Sequence, residues 1–129
     1  MFHNSLQTNN KDKVPPDDAK LLKQGYRFFA YHYDDRSAIK INKQEVESNV
    51  SFIPLAEEPT KLNISYTEYM EHTLKARGFW GWQYLFTGLK FKDFYHDLER
   101  DLEESFECLK IAFPNEDFNE YINKFESMK

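Results

Sequence analysis

The pattern of apolar and polar positions divides the chain into a strand-rich first half and a helical second half. Between residues 26 and 54, short alternating runs are separated by the polar turn Asp34-Asp35-Arg36 and closed by Pro54, which predicts an antiparallel meander. After residue 65, apolar residues recur every three or four positions, as in amphipathic helices. This order predicts an α+β fold, with a small antiparallel sheet of three or more strands packed against C-terminal helices.

Capping and stop signals give the predicted boundaries. Ser65 and Glu68 have the spacing of a capping box and Gly78 is a natural left-handed helix end, so a helix is predicted at about 65–77. A stripe of period 3.6 predicts a long helix over 91–113, stopped by Pro114, and a shorter helix over 118–125. Residues 1–14 are polar and lack periodicity, so they are interpreted as a flexible tail before a single domain, 15–129.

Two apolar clusters dominate the middle of the chain. The predicted helix at 65–77 carries one apolar stripe, formed by Tyr66, Tyr69, Met70 and Leu74. Six large apolar residues then follow within eight positions: Phe79, Trp80, Trp82, Tyr84, Leu85 and Phe86. So much apolar surface must be covered by other elements or by a partner, and Trp80 and Trp82 are interpreted first as core.

The sequence offers no constellation for catalysis, metal binding or cofactor binding. No pair among His3, His32, His72, His96 and Cys108 has the interval of metal ligands. No serine lies in a nucleophile elbow, and four glycines form no phosphate-binding loop. Cys108 borders the apolar stripe of the long helix and is expected to be a small buried hydrophobe. We therefore expect that the protein is not an enzyme and that it binds neither a metal nor a cofactor.

Charge narrows the class of partner. The net charge is −5, and residues 65–129 hold eight basic and thirteen acidic residues, so the whole imbalance lies in the second half. Without a cluster of Lys and Arg, nucleic-acid binding is not expected. No apolar run is long enough to span a membrane, and one cysteine without a secretory signal favours a cytoplasmic protein.

The spacing of Asp97, Asp101 and Glu104 places them on one face of the predicted long helix. Acidic residues along one helix face are usually a solvated surface. The alternative is a docking surface for a basic protein, because like charges on one face steer association. Under that alternative, we expect these three residues, with Phe79 and Trp80, to bind the partner.

Two stretches resemble a known family. The helix written Tyr66-x-x-Tyr69-Met70-Glu71, followed by Ala76-Arg77-Gly78-Phe79 and Trp82-Gln83, resembles the C-terminal signature of the SUKH superfamily. Residues 26–42 resemble its central strand pair, so the resemblance covers about residues 15–90. Members usually begin with a longer helical segment and a Leu-Pro step, so the module is expected to be shortened or incomplete at its N-terminus.

The SUKH superfamily includes bacterial immunity proteins and fungal cell-wall-synthesis regulators. The resemblance implies a non-enzymatic protein that neutralises a toxin by stoichiometric occlusion, and an acidic protein suits a basic toxin such as a nuclease. The alternative that it implies is an intracellular regulatory or scaffold protein.

Overall fold

The structure of the protein is a computed structural model that describes residues 16–32, 34–55 and 57–129, so the predicted tail lies outside the described residues. Along these residues one α-helix precedes five strands, and three α-helices follow them. The helices are α1 (Pro16–Lys23), α2 (Tyr66–Lys75), α3 (Leu98–Ala112) and α4 (Asn119–Ser127). The strands are β1 (Tyr26–His32), β2 (Asp35–Asn42), β3 (Glu45–Val46), β4 (Asn49–Ile53) and β5 (Thr60–Ser65).

The strands form one antiparallel sheet in the order β1-β2-β4-β5, and β3 pairs with the end of β2. Alternate residues of β4 face opposite sides of the sheet. Phe52 belongs to the main core with α2, α3 and α4, whereas Ile53 packs with Leu21 of α1. An ion pair between Asp18 and Arg36 also ties α1 to the sheet. The predicted α+β class, an antiparallel sheet against helices, is confirmed.

The sheet extends beyond its predicted end at residue 54. β5 follows Pro59 and pairs with β4, and its buried residues Leu62 and Ile64 alternate with exposed Lys61 and Asn63. This alternation is the ordinary signal of a half-buried strand. The strand runs directly into α2 without an intervening loop, so the capping residue Ser65 is also the last residue of β5.

The predicted start of α2 is confirmed by a reciprocal pair of hydrogen bonds. The Glu68 backbone N–H donates to Ser65 Oγ at 3.2 Å, and the Ser65 N–H donates to Glu68 Oε1 at 2.8 Å. Two of the free N–H groups at the helix start are therefore satisfied within the helix itself. The acceptor role of Glu68 lowers the pKa of its carboxyl group, because the backbone hydrogen bond favours the ionised form.

The C-terminus of α2 differs slightly from prediction. The Gly78 N–H donates to the Thr73 carbonyl at 2.9 Å and the Arg77 N–H to the Leu74 carbonyl at 3.1 Å, which is a Schellman motif. Gly78 has the predicted positive φ, 63°, but Arg77 before it is also left-handed, with φ 56°. The helix therefore closes one residue earlier than predicted, on a residue type that rarely takes this conformation.

The predicted stripe of α2 is buried only at Tyr69. Tyr66, Met70 and Leu74 are 47%, 44% and 75% exposed. Tyr69 packs against Phe29 and Trp82, with ring centroids 5.0 and 4.7 Å away. The described elements therefore cover one line of the helix rather than the whole predicted stripe.

Tyr69 also carries a buried polar network between sheet and helix. Its hydroxyl lies 2.8 Å from Ser37 Oγ on β2 and accepts a hydrogen bond from Gln83 Nε2 at 3.0 Å. All three residues are buried. Because buried polar groups must find partners, this network fixes how α2 sits on the sheet.

The long helix begins at Leu98, seven residues later than predicted. Residues Phe91–Asp93 form a short 3₁₀ turn, and Phe94 is in extended backbone. The aromatic rings of this segment pack on separate elements: Phe91 lies 5.2 Å from Phe125 of α4, and Phe94 lies 5.1 Å from Tyr84. The spacing of the apolar residues in 91–95 matches a helix, but these residues pack on separate elements instead of forming one helical face.

Candidate functional site

An open groove of about 540 Å³ lies between α3 and the segment that follows α2. The segment contributes Phe79 and Trp80 to its lining. The helix contributes two acidic residues and a row of small or apolar ones: Asp101, Glu104, Ser105, Cys108, Leu109 and Ala112. The structure thus brings together four of the five residues predicted to bind a partner.

Aromatic packing holds the segment against α3. Phe79 is buried, and its ring lies 5.1 Å from that of Phe106 on α3. The chain then turns at Gly81, where φ is 87° and a Cβ atom would lie 2.8 Å from Leu102 Cδ2. Only glycine allows both this conformation and this close approach. Trp80 is left half-buried at the wall of the groove.

Asp101 is held in place by the side chains of Tyr95 and Arg100. The Tyr95 hydroxyl donates to Asp101 Oδ2 at 2.8 Å, and two guanidinium nitrogens of Arg100 donate to Oδ1 at 3.2 and 3.4 Å. Burial, and then the hydrogen bond to this carboxylate, raise the pKa of Tyr95, so its hydroxyl stays a donor at neutral pH. The orientation of the Asp101 carboxylate is therefore fixed before any partner arrives.

The predicted acidic face separates into two parts. Asp97 precedes the first turn of α3, pairs with Arg100 at 3.4 Å and does not line the groove. Glu104 is exposed, lines the groove and makes no ion pair within 4 Å among the described residues. Because Arg100 offsets one of the three carboxylates, the face keeps a net charge of −2.

The expectation that Cys108 is buried is wrong. Cys108 is exposed and lines the groove. The buried row of α3 runs through Leu102, Phe106 and Leu109, and Cys108 lies on the flank that continues from Asp101 and Glu104. It is the only cysteine of the chain, so its thiol reports on the groove alone.

A second cavity, of about 220 Å³, was not predicted from the sequence. It lies between β1 and α2, and the Ser37–Tyr69–Gln83 network lines it. Exposed Tyr66 and Met70 of α2 also line it. Its volume is below the roughly 300–1,000 Å³ of small-molecule sites. The only indication of this cavity in the sequence is the apolar stripe of α2, and such a stripe is equally consistent with core packing.

Among the histidines that the structure describes, His72 of α2 is the one held inside the helical layer. Its Nδ1 lies 2.9 Å from the Tyr121 hydroxyl, and its ring lies 4.5 Å from that of Phe86. Desolvation lowers the pKa of His72, opposed by Glu120, whose carboxylate is 4.0 Å away. Three further charges act on it more weakly, those of Lys75, Lys124 and Glu68. Burial raises the pKa of the Tyr121 hydroxyl to about 12. His72 and Tyr121 therefore join α2 to α4 as two neutral side chains.

The described part of the chain holds neither a cluster of metal-ligand side chains nor a membrane-spanning helix. In that part, no group of three or more His, Cys, Asp and Glu side chains could hold a metal ion. None of the helices there has the length and apolar character needed to cross a bilayer.

Comparisons with protein-family models, with curated proteins and with solved structures found no match to this chain. The SUKH resemblance therefore rests on residues 26–42 and on the signature between Tyr66 and Gln83 alone.

Proposed function

We propose that this is a non-enzymatic binding protein that uses the groove beside α3 to dock a basic protein partner. By the SUKH resemblance, we further propose that it acts as an immunity protein, which neutralises a toxin by stoichiometric occlusion. The observation that carries the first proposal is the meeting of Phe79 and Trp80 with Asp101 and Glu104 in one groove.

The groove combines the two properties that protein interfaces share. Its apolar walls offer surface whose burial stabilises a complex, and aromatic residues such as Trp80 are enriched at binding hot spots. Its carboxylates lie where the acidic half of the chain can attract a basic surface, which acts mainly on the rate of encounter. A nuclease toxin, whose own substrate requires a basic face, fits this charge.

The alternative function is that of a regulatory or scaffold protein of the cell-wall-synthesis regulator type. It is favoured by the second apolar surface, exposed Tyr66, Met70 and Leu74 on α2, which a protein with one partner does not need.

The two functions predict different behaviour of the purified partner. An immunity protein abolishes the activity of its partner at a one-to-one ratio, whereas a scaffold protein binds without inhibition. The experiment is co-purification from the native host, followed by titration of the partner's activity. Inhibition that is absent or not stoichiometric would exclude the immunity function.

Groove docking is tested by stopped-flow association with that partner at low and high salt. Asp101→Asn with Glu104→Gln should slow association about tenfold at low salt and weaken its salt dependence. The matched control, Glu103→Gln with Glu107→Gln, removes the same charge from exposed positions of α3 outside the groove. If both pairs slow association equally, only the overall charge of the helix matters and the groove is not the docking site.

A further inference from the structure

We propose that the groove accepts an arginine side chain of the basic partner, with its guanidinium between Asp101 and Glu104 and beside the ring of Trp80. This inference rests on the proposed docking function and specifies its anchor. Four features of the groove carry it: its apolar walls, one oriented carboxylate, one carboxylate without an ion pair among the described residues, and one half-buried aromatic ring.

The walls match the stem of a long basic side chain. Phe79, Leu109 and Ala112 line the groove with apolar atoms, and the carboxylates stand on the flank of α3 beside them. Arginine and lysine bury their methylene stems along apolar surface while their charged heads remain at a polar rim. A purely apolar anchor would instead leave Asp101 and Glu104 desolvated without a partner, which is costly.

The two carboxylates have complementary roles. An ionised carboxylate offers about four lone-pair sites, of which one hydrogen bond from Tyr95 and two from Arg100 occupy three on Asp101. Asp101 is thus oriented and still able to accept a further donor. Glu104 lies three residues later, a spacing that makes side chains neighbours on a helix surface, and it has no ion pair among the described residues.

Trp80 favours arginine over lysine. A guanidinium is planar and weakly hydrated, it stacks on aromatic faces, and its donors form a fork that fits carboxylates. An ammonium is a compact, strongly hydrated charge that gains less from an aromatic wall.

The experiment uses Nα-acetyl-arginine methylamide as the probe and two readouts in the full chain. The first is the alkylation rate of Cys108 by N-ethylmaleimide, which falls in proportion to the occupied fraction of the groove. The second is the indole N–H resonance of Trp80, distinguished from that of Trp82 by a Trp80→Phe variant. The acetylated methylamides of citrulline, which is neutral and almost isosteric, and of lysine serve as matched probes.

The arginine probe should slow alkylation and shift the Trp80 resonance, the lysine probe should do so more weakly, and the citrulline probe should not. Asp101→Asn with Glu104→Gln should weaken binding of the arginine probe about tenfold, a change of roughly 1.4 kcal/mol. The control pair, Glu103→Gln with Glu107→Gln, should leave it unchanged. If loss of Asp101 unfolds the protein, Glu104→Gln alone carries the test, because its side chain has no ion pair in the described structure to lose.

Equal effects of arginine and citrulline, or of the two variant pairs, would overturn the proposal. Failure of the anchor is distinct from failure of the docking function. If the purified partner protects Cys108 but the arginine probe does not, the anchor is wrong and groove docking stands. If the partner binds and leaves Cys108 unprotected, groove docking is wrong, and the anchor fails with it.

Discussion

Replacing Tyr69 by Phe should reveal how strongly the buried network holds α2 on the sheet. The substitution keeps the ring and its contacts with Phe29 and Trp82 and removes only the hydroxyl. That hydroxyl is the partner of both Ser37 and Gln83, which are 2% and 4% exposed. A single missing oxygen therefore leaves two buried polar groups without their partner.

The cost follows from this count. Each buried polar group that loses its partner costs about 1–3 kcal/mol, so the free energy of unfolding should fall by roughly 2–6 kcal/mol. In a domain of this size, the melting temperature should fall by roughly 10–20 °C. Adding Ser37→Ala to the Phe variant removes one of the two stranded groups, so the double variant should regain about 1 kcal/mol.

The assay is urea unfolding monitored by tryptophan fluorescence, with Tyr66→Phe as the control. Tyr66 lies three residues earlier on α2 and is 47% exposed, so loss of its hydroxyl should change stability by less than about 0.5 kcal/mol. If Tyr69→Phe also costs less than about 0.5 kcal/mol, water in the neighbouring cavity replaces the hydroxyl and the network does not fix the helix.

Three further predictions concern α2. Ser65→Ala should lower the free energy of unfolding by about 1 kcal/mol, the usual contribution of such a cap, and an unchanged urea midpoint would contradict the observed hydrogen bonds. Gly78→Val should cost more than about 1 kcal/mol because φ is 63°, although space for the side chain is free, and full tolerance would mean that the backbone adapts. The pKa of His72 lies below its unfolded value of 6.5, so stability is fully present above pH 6.5 and is lost as pH falls through the folded pKa. His72→Gln should therefore flatten urea midpoints measured between about pH 7 and about pH 5, whereas His96→Gln, at an exposed position, should not.

Features that depend on residues close together in the sequence were predicted correctly. The capping box needs only Ser65 and Glu68, so its sequence spacing was sufficient to place the start of α2. The α+β class followed from the order of periodicities. β5 lies beyond the predicted sheet although Leu62 and Ile64 alternate with polar residues, because Pro54 was interpreted as the end of the meander.

Tertiary contacts decided the remaining elements. Phe91 and Phe94 have helical spacing, but their rings pack on different neighbours. The helix α3 therefore begins only at Leu98. The exposure of Met70 and Leu74 likewise depends on what covers α2, and periodicity within the helix carries no such information.

The candidate site was predictable in composition but not in shape. Phe79 and Trp80 are more than 20 residues from Asp101 and Glu104, so only the folded chain brings them together. The loss of Asp97 from the groove follows from its position before the first turn of α3 and its ion pair with Arg100. Helical spacing alone predicted that Asp97 shares one face with Asp101 and Glu104.

The alkylation rate of Cys108 in the complex with the purified partner tests groove docking most directly. The thiol lines the groove and has no second cysteine to obscure it. Groove docking predicts that saturating partner suppresses alkylation by N-ethylmaleimide, and that Asp101→Asn with Glu104→Gln restores it at the same partner concentration. A complex that forms while Cys108 reacts as fast as in the free protein would contradict it.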